Sequence, residues 1–287
     1  MISADTQYKE LPIRELLKYH GFKSSKSMGQ NFLVDPNIPE KIVKLSGIDN
    51  SCGVLEVGPG VGALTKVLCQ YAGHVTAVEL DKRLIPILTG MFSSKKNVSI
   101  IQGDILKTDI RKLCEETMSG IDHHVCANLP YNITTPAISA FIESGVFKSI
   151  TLMLQKEVAH RICAKPGTSE YGAFTIYSNY HTVPGILFDV FPESFIPRPN
   201  VTSTVVRMNI RTDKLLDKKS EEIFFCIVRA AFNQRRKTLA NALSSAFSET
   251  RTKADITEIV EKCGFDARIR GEVLGIDDFI NLSRFFS

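Results

Sequence analysis

The chain has 287 residues, 44% of them apolar, and its 35 Lys and Arg against 31 Asp and Glu leave a net charge of +4. That length suits one large domain plus a smaller one with a sizeable core, and the lack of any apolar run of about twenty residues excludes a helical membrane span. Seven scattered cysteines without a CxxC pair read as reduced thiols in a cytoplasmic protein, not as a disulfide framework or zinc site.

The opening MISADTQYKELPIREL is mixed in charge and reads as neither a secretory nor a transit leader. Lys18, Lys23 and Lys26 cluster before a Gly-Gln-Asn turn. After Gly53 the pattern alternates. GVLEV (53–57) is an apolar run fit for a buried parallel strand, and GALTKVLCQYA (62–72) has helical spacing. HVTAVEL (74–80) predicts a strand, KRLIPILTGMF (82–92) a helix, NVSIIQGD (97–104) a third strand and HHVCANLP (123–130) a fourth. TPAISAFIESG (135–145) predicts a helix with Pro in its first turn, and SITLMLQ (149–155) a fifth strand. Such alternation builds an α/β fold, a mostly parallel sheet with helices on both faces.

TVPGILFDVFP (182–192) and STVVRMNI (203–210), separated by a Pro-rich segment, predict an antiparallel pair closing the sheet edge. Then the strands stop. SEEIFFCIVRAAFNQRRKTLANALSSAF (220–247) and KADITEIVEKCGF (253–265) are amphipathic helices. A catalytic domain over 1–211 and a small helical domain over 212–287 are expected. Residues 200–240 carry nine Lys and Arg against four Asp and Glu. With the N-terminal lysines, this suits a partner with a phosphate backbone.

The ends of the predicted strands carry the chemistry. In LEVGPGVGALT, Gly58, Gly60 and Gly62 let the backbone turn sharply and approach a ligand. The spacing is GxGxG, not the dinucleotide GxGxxG. Glu56 is a poor neighbour for a pyrophosphate and suits an amine-bearing or cationic ligand. Both features disfavour an NAD-dependent oxidoreductase. Glu79, about twenty residues past the first strand, can accept bonds from both hydroxyls of a ribose. Asp104 can accept from an exocyclic adenine amine. Taken singly, each acid could merely cap or face solvent. Together at successive strand ends they mark the place where open α/β sheets bind ligands. Asn128-Leu129-Pro130-Tyr131 follows the fourth strand; alone it would suit an ordinary turn.

This ordered set resembles the class I S-adenosylmethionine-dependent methyltransferases, whose Asn/Asp-Pro-Pro-Tyr motif serves enzymes acting on exocyclic amines of bases. GQNFL (29–33), NLPYNITTP (128–136), the Phe-x-Pro-x-Pro-x-Val-x-Ser pattern in FPESFIPRPNVTSTVV (191–206) and FNQRRKTLANAL (232–243) extend the match from about residue 20 to the C-terminus. In order and spacing they resemble the KsgA family, bacterial-type small-subunit (16S) rRNA adenine N6,N6-dimethyltransferases. That resemblance implies S-adenosylmethionine as cofactor, contacted by Asn31, Leu33, Gly58, Gly60, Glu79, Asp104 and Asn128. It implies two adjacent adenosines in the 3′-terminal hairpin loop of 16S rRNA as substrate, an immature small ribosomal subunit as partner, and a link to subunit biogenesis. A monomer without metal or membrane attachment is expected. One departure stands out: Pro197-Arg198-Pro199-Asn200-Val201 replaces the family's usual Pro-Pro-Pro-Lys-Val, which shifts a positive charge by one position.

Adenine N6 is a poor nucleophile because its lone pair is delocalised into the ring. The Asn128 amide oxygen and the Leu129 main-chain carbonyl can accept its two hydrogens. Pro130, with fixed φ and no N–H, helps aim that carbonyl. Tyr131 is expected to stack on the base, with Phe195 on the opposite face. Arg198, Arg235, Arg236 and Lys237 are expected to track RNA phosphates, although Arg235 and Arg236 could equally pair with acids inside the protein. The competing readings are an erythromycin-resistance type methyltransferase of large-subunit rRNA, which shares the cofactor motifs, and a ribosome-assembly RNA-binding factor without activity.

Overall fold

The computed structural model describes residues 11–22 and 29–286. Lys23 and Lys26 of the N-terminal lysine cluster lie outside the described residues. The chain divides into two compact units. One takes in residues up to Ala159 together with Gly185–Ile210; the other holds His160–Pro184 and the chain from Arg211 onward.

The first unit opens with helix α1 (Ile13–Tyr19), the short strand β1 (Phe32–Leu33) and helix α2 (Asn37–Ser46). Strands β2 (Cys52–Val57), β3 (His74–Glu79), β4 (Val98–Gln102), β5 (Asp122–Asn128) and β6 (Phe147–Gln155) then alternate with helices α3 (Ala63–Tyr71), α4 (Ile85–Phe92), α5 (Ile110–Thr117) and α6 (Thr134–Ser144). Every residue of β2 is buried, Glu56 included, which accounts for its mostly apolar sequence. β2 pairs in parallel with β3 and with β5, β3 with β4, and β5 with β6. β9 (Ser203–Ile210) runs antiparallel to β6, and β7 (Thr182–Val190) lies beyond it. The sheet order is β4-β3-β2-β5-β6-β9-β7.

A separate two-stranded ribbon joins distant parts of the chain. β1 pairs antiparallel with β8 (Phe195–Ile196), Phe32 opposite Ile196 and Leu33 opposite Phe195. The Val34 N–H donates to the Ser194 carbonyl at 2.8 Å and extends the pairing.

The helical unit contains α7 (Ala173–His181), α8 (Lys218–Asn233), α9 (Leu239–Ala246), α10 (Lys253–Lys262) and α11 (Ile276–Ser283). Two expectations change here. The stretch 220–247 is not one helix. It breaks after Asn233, and Thr238 restarts it by accepting from the Asn241 N–H at 3.4 Å. Nor does the division of the chain follow a single cut after residue 211. His160–Pro184 goes with the helices, because Tyr171, Ile176 and Tyr180 are buried in the same core as Phe224, Leu243 and Phe279.

Candidate active site

The strand order reverses between β2 and β5, and a crevice opens there at the carboxyl ends of the parallel strands, as in other open α/β sheets. Its walls come from the chain segments that follow β2, β3, β4 and β5, together with the segment entering β1. Asn31, Gly58, Gly60, Glu79, Asp104, Asn128, Leu129, Pro130 and Tyr131 all line this one cavity.

The glycines are there for backbone reasons. Gly58 and Gly60 have φ of +67° and +62°, a region L side chains rarely enter. A Cβ on Gly58 would also stand 3.4 Å from Pro130 Cδ, and one on Gly60 3.1 Å from the Phe32 ring. The loop can therefore pass close beneath a ligand only as glycine.

Glu79 is 5% exposed. Its Oε2 accepts from the Gly60 N–H at 3.0 Å and its Oε1 from the Asp81 N–H at 2.8 Å. Burial raises its pKa, and the two main-chain donors oppose that rise. Each carboxylate oxygen keeps a lone pair for a ligand hydroxyl. Asp104 caps the short 3₁₀ turn Ile105–Lys107, accepting from the Leu106 N–H at 3.1 Å, while still facing the cavity. Glu56 is 1% exposed under the glycine loop, accepts from the Thr65 hydroxyl at 2.6 Å, and is pushed by burial up to about 8.

At the end of β5, the Asn128 Nδ2 donates to the Asn31 main-chain carbonyl at 3.4 Å. A carbonyl can only accept, so this bond selects the NH₂ side of the amide and leaves Oδ1 free. The Leu129 side chain is 1% exposed, and its carbonyl accepts no hydrogen bond among the described residues. Pro130 sits at φ −54°. The Tyr131 hydroxyl and the Ser203 hydroxyl are 2.9 Å apart, which fixes the tyrosine ring against β9. Ser203 closes the Phe-x-Pro-x-Pro-x-Val-x-Ser pattern, so the signal was present in the motif, but no role attached to it.

Other expected site residues lie elsewhere. Leu33 is buried and lines a smaller void under the glycine loop with Asn31, Glu56 and Asn128. Phe195 does not face the cavity: pairing of β8 with β1 turns it into the core, where it is 2% exposed. Arg198 is exposed and ion-paired with Glu193. Within the helical unit, Arg235 is a structural cation. Its Nε donates to Glu272 at 2.7 Å, and its two terminal nitrogens donate to the carbonyls of Ser169 and Thr168. Arg236 and Lys237 are exposed.

A mostly parallel sheet in this order, with a glycine loop, two carboxylates and an Asn-x-Pro-Tyr turn converging on one cavity, defines a class I S-adenosylmethionine-dependent methyltransferase. The family model for ribosomal RNA adenine dimethylase matches residues 21–280, and the chain belongs to that family. It is 45% identical over 271 residues, covering 94% of this chain and 93% of the relative, to ribosomal RNA small subunit methyltransferase A of Lachnoclostridium phytofermentans. Among solved structures, it is similar to a dimethyladenosine transferase from Plasmodium falciparum, with TM-score 0.75, 26% identity, and 88% of this chain and 95% of that chain covered. The 23S rRNA methyltransferase ErmE shares the fold, with TM-score 0.70, 21% identity, and coverage of 88% and 98%.

Proposed function

We propose that the protein dimethylates N6 of two adjacent adenosines in the 3′-terminal hairpin loop of 16S rRNA, within an immature small subunit in the cytoplasm. The observation that carries this reading is the orientation of Asn128. With Nδ2 held by the Asn31 carbonyl, Oδ1 is left as an acceptor beside the Leu129 carbonyl, a second acceptor without a partner among the described residues.

S-adenosylmethionine supplies an electrophilic methyl group on a sulfonium. The cavity suits it: Glu79 offers acceptors for the ribose hydroxyls, Asp104 an acceptor for the adenine amine, and Val57, Val78 and Leu80 apolar wall. Asn31, Gly58 and Gly60 complete that wall. The two acceptors at 128 and 129 hold the N6 hydrogens of the target adenine and favour a pyramidal nitrogen whose lone pair faces the methyl. Tyr131, held by Ser203, stacks on the base, a contact worth roughly 1–3 kcal/mol. No strong base is required, because the methylated amine becomes acidic and loses its proton late. Catalysis is then chiefly positioning. The target base must leave its stack, which is easier in a loop than in a duplex.

Arg198, Arg236 and Lys237 are the cations assigned to RNA phosphates. The small-subunit target follows the name of the 45% identical relative. The test is methyl transfer from labelled cofactor to immature small subunits and, separately, to large-subunit rRNA, with mass mapping of the product base. Dimethyladenosine in 16S rRNA is the expected product. Label confined to 23S rRNA would transfer the assignment to the large-subunit enzymes.

A further inference from the structure

Asp81 lies outside the cavity's catalytic set, yet it is one of the few nearly fully buried carboxylates, 2% exposed. Arg83 binds it through its main-chain N–H at 3.0 Å, its Nε at 2.9 and 3.2 Å, and its Nη2 at 2.6 Å. Gln30 adds a bond from outside this loop: its Nε2 donates to Asp81 Oδ2 at 2.9 Å across 51 residues of sequence. The Arg83 guanidinium beside Asp81 holds its carboxyl well down, at about 2, so Gln30 meets a charged acceptor and makes a charge-assisted bond.

Two contacts show what this bond connects. Asp81 donates its own N–H to Glu79, the carboxylate assigned to the ribose. Gln30 immediately precedes Asn31, whose carbonyl orients Asn128. The Gln30–Asp81 side-chain bond therefore ties the Asn31 wall of the cavity to the Glu79 wall. A second route runs parallel to it: the Arg83 guanidinium sits 4.8 Å from the centre of the Phe22 ring, which meets the Phe32 ring edge-on at 5.6 Å. Phe32 in turn lies against Gly60. Arg83 thus serves both routes, through Asp81 and through Phe22.

We infer that Gln30 is a positioning residue for the methyl donor, holding the segment Gly29–Phe32 closed against the Glu79–Asp81 corner through Asp81. Gln30 itself lines the same cavity, but it is assigned no contact with the methyl or the amine. Its effect is on how long the donor stays bound and on the placement of Asn31. Because Arg83 keeps Asp81 paired when the amide is removed, losing this bond leaves no uncompensated buried charge, and the fold survives. The inference rests on the cofactor site described above.

The experiment measures S-adenosylhomocysteine dissociation from the full chain by stopped-flow and its dissociation constant by calorimetry, with thermal melting alongside. Gln30→Met keeps the length and removes the donor. Its dissociation is expected to quicken about tenfold, the scale of one hydrogen bond to a charged group, with little change in melting temperature. Gln30→Glu sets two carboxylates against each other and should lose more. Gln30→Glu combined with Asp81→Asn inverts donor and acceptor and should recover much of that loss, which a purely steric role for Gln30 would not allow. Wild-type dissociation in Gln30→Met would overturn the inference, and so would a double variant no better than Gln30→Glu. Failure of the wild type to bind S-adenosylhomocysteine would instead overturn the cofactor site itself.

Discussion

The Asn128 side chain reaches across 97 residues of sequence to donate to the main-chain carbonyl of Asn31. This bond joins the segment entering β1 to the end of β5, and it decides which atom of the Asn128 amide is left for a substrate. Asn128→Ala removes that acceptor while Leu129, Pro130 and Tyr131 keep their places. Single-turnover methyl transfer should fall by about two orders of magnitude, as for a misplaced reacting group. S-adenosylhomocysteine binding should change far less. Wild-type turnover would remove Asn128 from the chemistry.

Glu79 holds Gly60 and Asp81 and is assigned the ribose hydroxyls as well. Glu79→Ala should weaken S-adenosylmethionine binding roughly 10- to 100-fold, the range of one charge-assisted hydrogen bond. Glu79→Gln keeps one carbonyl acceptor and should fall between the two. Calorimetry gives the dissociation constants, and an unchanged value for Glu79→Ala would contradict the ribose role.

Glu56 makes a prediction about pH. Burial moves its carboxyl from an ordinary 4.5 up to about 8. Between those values the folded protein holds a proton that the unfolded chain has released, so stability falls as pH rises through the window. Below it both states are protonated and the penalty vanishes. Glu56→Gln cannot ionise. Denaturant titrations across the window should show a shallower decline for Glu56→Gln than for wild type, and parallel slopes would refute the assignment.

Arg235 and its neighbours should separate by type of effect. Arg235 is spent on Glu272 and on the carbonyls of Thr168 and Ser169. Arg235→Ala should lower stability by about 1–3 kcal/mol, as when a partly buried charged hydrogen bond is lost. Arg236→Ala and Lys237→Ala should leave melting near wild type and weaken RNA binding, each reducing the salt dependence by about one phosphate contact. Filter binding over a salt series, with melting curves, distinguishes the two classes.

The sheet was legible because its central strands are buried on both faces and read as short, mostly apolar runs, as in GVLEV, where Glu56 is the one charged residue. The convergence of Gly58, Glu79, Asp104 and Asn128 on one cavity was legible for a related reason: each lies at a strand end, where open α/β sheets bind ligands. What could not be read depends on contacts remote in sequence. The exchange of His160–Pro184 into the helical unit follows from packing around Tyr171 and Tyr180. The burial of Phe195 follows from a ribbon of two residues per strand, too short to leave a periodic signature. The break at Gln234–Lys237 is set by the Thr238 cap, which the amphipathic pattern runs straight through. Gln30 lies inside the GQNFL segment, but its partner Asp81 is 51 residues away.

The β1–β8 ribbon has a consequence for the order of events in a catalytic cycle. Two residues on each side cannot hold together unaided, so each half is a scaffold for the other. One half continues into Gly29–Asn31, which line the cavity proposed for the methyl donor, and the other into the proline-rich stretch ending at Ser203, the hydrogen-bond partner of Tyr131, the tyrosine proposed to stack on the base. If both proposed roles hold, seating of the donor and readiness for the nucleobase share this ribbon, and by thermodynamic reciprocity whatever steadies one should steady the other.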